Sequence, residues 1–119
     1  MKSYGLPRRM ILKSRQKIFW IIRNGSAKKG NFLALHQIKQ EGLSWSRFAF
    51  MVSKNIRGAV ERNRLKRIVR ELVRVSKERF LNHDTVIVIQ GQSAKKTFWQ
   101  IKEDFVSLTS GERKAEMSV

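Results

Sequence analysis

Six consecutive residues, Arg62 to Arg67, hold four arginines or lysines around a single asparagine, Asn63. Arginine forks two donors onto a phosphate, while lysine offers a point charge. Asparagine carries a donor and an acceptor on one amide, which suits a base edge, a 2′-OH or a neighbouring arginine. Lys54 and Arg57 precede the run, Lys66 and Arg67 close it, and Arg70 follows. This is the chemistry of gripping a polyanion, not of breaking a bond. The plainer alternative is that these are helix formers on a solvated face, and the rest of the chain decides between the two.

No grouping suited to catalysis accompanies them. His36 stands alone in an apolar stretch, and His83 precedes Asp84 at a break between elements. Glu103 and Asp104 are adjacent carboxylates, but neighbours on a helix do not face each other, so the pair reads as solvated. Cysteine is absent, which excludes disulfides, thiolate metal sites and cysteine nucleophiles, and agrees with a reducing cytoplasm. No metal-ligand spacing is evident, and no apolar run reaches membrane-spanning length. The first residues have no signal-peptide core.

Charge points the same way. The 119 residues carry a formal net charge of +17, with 26 basic against nine acidic side chains. Residues 1–79 hold 21 of the basic residues and four glutamates, whereas residues 80–119 hold five of each sign. A general solubility charge would not divide so unevenly; a polyanion-binding surface built by the first two-thirds would. Nucleic acid is favoured over lipid, because no lipidation motif or interfacial anchor accompanies the charge.

The elements that must position these residues are readable from periodicity. Pro7 implies an extended N-terminal arm. Ser14 to Asn24 reads as a short helix stopped at Asn24-Gly25, with Ile18 and Ile22 on one face. Asn31 to Lys39 reads as a strand, Leu33 and Leu35 facing one way, Phe32, Ala34, His36 and Ile38 the other. After a turn at Glu41-Gly42, Ser46 to Ser53 reads as its hairpin partner, with Phe48, Phe50 and Val52 on one face. Arg57 to Arg79 reads as a long helix with a stripe of Leu65, Ile68, Val69, Leu72 and Val73. Arg62 falls at the edge of that stripe, leaning toward the sheet; Lys66, Arg67 and Arg70 face outward. The all-apolar run after Thr85 suits a central strand covered on both faces. Thr97 to Leu108 reads as a final helix opened by a Thr97/Gln100 capping box. The order is α–β–β–α–β–α with three or four strands, and a strand–helix–strand return is right-handed by the general rule. Residues 1–109 form one RNA-binding domain, and residues 110–119 a flexible polar tail.

The stretch SKNIRGAVERNRLKRIVREL, Ser53 to Leu72, resembles the signature of the bacterial ribonuclease P protein family. Its centre is Arg62-Asn63-Arg64, the family's RNR motif, and the likeness extends over most of residues 6–109. The resemblance implies an αβββαβα sandwich, a four-stranded sheet packed by three helices with an unusual left-handed βαβ crossover. It also implies a function: assisting a large catalytic RNA that removes the 5′ leader of precursor tRNA in the cytoplasm. Catalysis is expected in the RNA subunit and its Mg²⁺. RNA-binding residues carried over are Lys54, Arg57, Arg62, Asn63, Arg64, Lys66, Arg67 and Arg70. The leader is expected in a cleft between the first helix and the sheet, with Arg15, Lys17, Phe19, Trp20, Phe32 and Phe48 as its lining; Phe32 and Phe48 equally suit the core.

Some positions depart from the family pattern. Asn55 stands where relatives often have a second lysine. Ile18 and Ile22 stand where they often have phenylalanines, and Leu35 falls at their aromatic strand position, leaving Trp20 as the stacking candidate. Two other classes fit the charge. A ribosome-associated RNA-binding protein does not explain the RNR run, and an autonomous nuclease needs clustered carboxylates that the basic two-thirds lacks.

Overall fold

The computed structural model describes residues 6–117, with side chains through residue 109. Its main elements are α1 (Arg15–Asn24), β1 (Ser26–Lys29), β2 (Leu33–Lys39), β3 (Arg47–Val52), α2 (Ala59–Val75), β4 (His83–Ile89) and α3 (Phe98–Met117), joined in part by single 3-10 turns. This is the αβββαβα order. The sheet runs β1-β2-β4-β3, antiparallel except where β3 lies parallel to β4.

The expected pairing of β2 with β3 is therefore corrected: β4 inserts between them. The inserted strand is the apolar one, because only a run buried on both faces can fill the centre of a sheet. β2 instead makes its hairpin with β1, matching Lys28 with Leu35. β1 escapes the periodicity because Ser26-Ala27-Lys28-Lys29 is a polar edge strand, the composition that discourages pairing with other chains.

Period-two alternation sends the two sheet faces to different partners. Leu33, Leu35, Phe48, Ile87 and Ile89 join Leu65, Val69, Leu72 and Val73 of α2 and Ile101, Phe105 and Leu108 of α3 in the main core. On the other face Ala49 and Val86 meet Ile21 of α1. The arm before α1 is extended at Pro7, as expected, but also buries Leu6, Met10 and Leu12. Leu12 donates its N–H to the Phe48 carbonyl at 2.7 Å, so the arm borders β3.

The helix stop at Asn24-Gly25 is found as read: Gly25 follows α1 with φ −81°, and a Cβ there would strike the Gln37 carbonyl, so glycine permits the turn into the sheet. Two further details differ from the sequence reading. Phe32 lies just before β2 and packs into the α2/α3 core instead of alternating away from Leu33. The last helix continues past Leu108 to Met117, so most of the expected tail is helical; Ser118 and Val119 lie outside the described residues.

Candidate nucleic-acid interface

The RNR triplet divides three ways because successive helical residues turn about 100°. Arg62 bends back onto the loop before its own helix. Its Nη1 donates to the Ser53 and Ile56 carbonyls at 2.9 and 3.0 Å, and its Nη2 to Val52 O at 3.4 Å. One guanidinium thus ties the end of β3 to the start of α2 and shapes the loop that carries Lys54 and Arg57. This bears out its lean toward the sheet. Backbone oxygens occupy its Nη1 and part of its Nη2.

Arg64 leaves the opposite flank of α2. Its Nε and Nη2 donate to the Glu61 carboxylate at 2.9 and 2.8 Å, and Nη2 also reaches Lys96 O at 2.8 Å. Glu61 accepts the Lys95 N–H as well. The Arg64 hydrogen bond, then that backbone bond, hold the Glu61 carboxyl at about 2, well below its ordinary value. Arg64 is thus a tie between α2 and the turn before α3.

Between these flanks Asn63 and Arg67 are exposed, on one line with Val60 and Arg74 at helical spacing. Lys54 and Arg57 are exposed on the preceding loop. Lys66 and Arg70 are half-buried on the β3 flank, and the Arg70 guanidinium lies 5.4 Å from the centre of the Phe50 ring. The outward placement of Arg67 holds, while Lys66 and Arg70 turn toward the sheet edge. A strip of positive charge nevertheless runs from Lys54 along α2.

The residues assigned to the leader cleft separate more sharply. Phe48 is fully buried against Phe80 in the main core and cannot line a cleft. Phe32 belongs to that side of the sheet too, with Lys96 Nζ 5.6 Å from its ring centre. Leu35 also faces that core; the strand residue on the α1 side is its neighbour His36, opposite Ala27 and Val86. Burial lowers the His36 pKa, favouring neutral imidazole. On α1, Arg15 is exposed, and Phe19 and Trp20 are about half exposed, away from the face of buried Ile21 and half-buried Ile18 and Ile22. A recess of about 460 Å³ beside Trp20 is bounded by Ser14, Gln16, Lys17 and Gln40. Lys17 is partly committed, since its Nζ lies 3.4 Å from Asp84 Oδ2.

That aspartate is one of two functional anchors that sequence reasoning missed. Asp84 is fully buried and receives Arg47 Nε and Nη2 at 2.7 and 2.9 Å, with Gln40 Nε2 at 2.9 Å. Through Lys17 it fastens α1 to the starts of β3 and β4. The signal was a carboxylate two residues before the apolar run at residues 86–89, where it must find partners. Asp104, read as solvated beside Glu103, is the other. It is buried and accepts the N–H groups of Asn31, Phe32 and Leu33 at 2.8 to 2.9 Å. Its spacing from Ile101 and Leu108 puts it on the apolar stripe, which its place beside the exposed Glu103 concealed.

Among the described residues no three histidine or acidic side chains group to hold a metal ion, and no helix is long and apolar enough to cross a membrane.

Comparison with known proteins agrees with this geometry. The Ribonuclease P family model matches residues 6–111. The ribonuclease P protein component of Desulforamulus reducens is 33% identical over 93 residues, covering 77% of this chain and 81% of the relative. That of Syntrophomonas wolfei is 32% identical, with 74% of each chain covered. Among solved structures, the RNase P protein of Thermotoga maritima superposes with a TM-score of 0.73 at 25% identity, covering 82% of this chain and 93% of that one. The Staphylococcus aureus protein reaches 0.79 at 22% identity, over 85% and 93%, a likeness of fold.

Proposed function

The chain belongs to the ribonuclease P protein family, and from that premise we propose that it binds the catalytic RNA subunit through α2 and the 5′ leader of precursor tRNA beside α1. The holoenzyme is an endoribonuclease, and this chain supplies grip and orientation rather than bond-breaking groups. The observation that carries the reading is the division of the RNR helix. Arg62 and Arg64 brace it, while Asn63 and Arg67 on its outer side and Lys54 and Arg57 on the preceding loop are exposed. Phosphates meet the cations, and the Asn63 amide can read a base edge or a 2′-OH.

The leader is a single strand, and single strands are held by cations along the backbone and aromatic faces under the bases. Arg15 and Trp20 on α1, with His36, Met51 and Val88 on the neighbouring sheet face, offer that combination. Magnesium belongs, in this reading, to the RNA subunit, where it would supply electrostatic stabilisation of the cleaved phosphate. Transfer RNA maturation puts the work in the cytoplasm.

Reconstitution tests the proposal. The chain is mixed with bacterial ribonuclease P RNA and precursor tRNA in magnesium, and the 5′ product is mapped. The expected result is cleavage at the mature 5′ end only when the RNA is present, with Arg67→Ala raising the protein concentration needed. Metal-dependent cleavage by rigorously RNA-free protein would overturn it.

A further inference from the structure

The turn into α3 carries a second aromatic and basic surface that neither the RNR helix nor the α1 side accounts for. Lys95 sits at φ +64°, a conformation L residues seldom adopt, and its N–H is fixed by Glu61 at 2.6 Å. The next carbonyl, of Lys96, is fixed by Arg64. These bonds clamp the turn to the first turn of α2. Beyond it Phe98 turns inward against the core, and its neighbour Trp99 turns out.

Trp99 is 69% exposed, more than any other large aromatic side chain among the described residues. The ring is nonetheless held. Phe98 meets it edge-on, with centres 5.1 Å apart at 87°, and Lys102 Nζ lies 5.3 Å from its centre. Lys96 stands nearby over Phe32. Residues 90–102 hold three lysines and no carboxylate. An indole left open to water gains nothing for the core. An exposed indole with one lysine ammonium over its ring, beside a turn that carries two more lysines, matches an unpaired base with its flanking phosphates.

We propose that Trp99 is a stacking platform for an unpaired base of the RNA subunit, with Lys96 and Lys102 on the adjoining phosphates. The proposal rests on the holoenzyme reading above. The RNA subunit is the occupant because the platform is clamped to the RNR helix through Glu61 and Arg64, so an RNA lying on the start of α2 is within reach. The leader is not, since α3 packs on the sheet face opposite to α1.

The test uses the full chain with ribonuclease P RNA. Wild-type assembly and cleavage are measured first; their failure would count against the holoenzyme reading, not against the platform. Trp99→Ala is expected to weaken RNA-subunit affinity by about fivefold or more, as loss of one stacked base would. Its melting temperature and the precursor-over-mature preference of the assembled complex should stay unchanged. Trp99→Phe, which keeps a smaller ring, should recover most of the affinity and lose much of the tryptophan emission change seen on adding RNA. Wild-type RNA affinity in Trp99→Ala would overturn the proposal, as would an emission change undiminished in Trp99→Phe. A defect confined to precursor preference, or to self-association in sedimentation, would equally overturn it in favour of the leader or a protein partner.

Discussion

The two faces of the sheet are closed to different degrees. Among the described residues the α2/α3 face buries sixteen hydrophobic side chains in one cluster, and the α1 face buries four. The first is covered by two helices, a 3-10 turn and the N-terminal arm; the second by one ten-residue helix and Leu12 of the arm, which leave Ile38, Met51 and Val88 half-buried. The contrast teaches where stability and binding are kept. A face already filled cannot receive a ligand, and a face half-filled holds room and partly wet apolar surface.

The largest expected effect breaks the full face. Phe48→Ala removes a ring packed edge-on against Phe80 and stacked near Phe50. It should cost about 3–5 kcal/mol, from lost transfer energy plus the cavity left behind. Thermal or urea denaturation reads this directly. A loss no greater than that of an exposed residue would mean the two faces are not as unequal as their burial suggests.

A smaller effect of a different kind is expected on the open face. Trp20 is half exposed, so Trp20→Ala should change the melting temperature little. Stacking contributes roughly 1–3 kcal/mol per base, so the same change should narrow the gap between precursor and mature tRNA affinity by about tenfold. Measuring both quantities on one variant separates the roles. A destabilised protein with intact precursor preference would remove Trp20 from the leader path and leave Phe19, on the other flank of α1, to be tried.

Much of the full face was legible in the sequence, and less of the open one, for a physical reason. Burial on one side imposes a period, and the stripe of Leu65, Val69, Leu72 and Val73 and the inner side of β3 appeared as read. Central placement of β4 followed from the apolar run at residues 86–89. What hydrophobic periodicity cannot report is a polar tie. Nothing in the spacing of Asp84, Arg47, Gln40 and Lys17 says that they meet, since they come from three separate parts of the chain. The hairpin between β2 and β3 failed for a related reason: adjacency in sequence favours pairing, but burial ranked β4 first for the centre. On α2 the helical wheel already set Arg62 toward the sheet and Arg67 outward, but only the fold shows that Arg64 braces the turn before α3.

The smallest expected effect sharpens the comparison at the brace itself. Glu61 joins Arg64 to the Lys95 turn, and so belongs to the closed side of the molecule. Its pKa falls from 4.5 to about 2 in the folded chain. A carboxylate whose folded value is depressed contributes stability that is fully present above its unfolded value and is lost as pH falls through the folded one. Its contribution is thus complete at neutral pH and fades between about 4.5 and about 2. The side chain is 22% exposed, and solvent screening limits the net benefit to about 1 kcal/mol. Glu61→Gln should therefore lower stability at neutral pH by about that much and leave the precursor preference of the α1 side untouched. Carboxylates elsewhere titrate in both proteins and cancel in the difference, so the gap between wild type and variant should close as the solution is acidified across that window. A gap that stays constant in acid would mean that Glu61 braces the turn by shape alone. A gap that closes, with RNA-subunit affinity reduced at neutral pH, would mean that the brace also holds the binding surface in place.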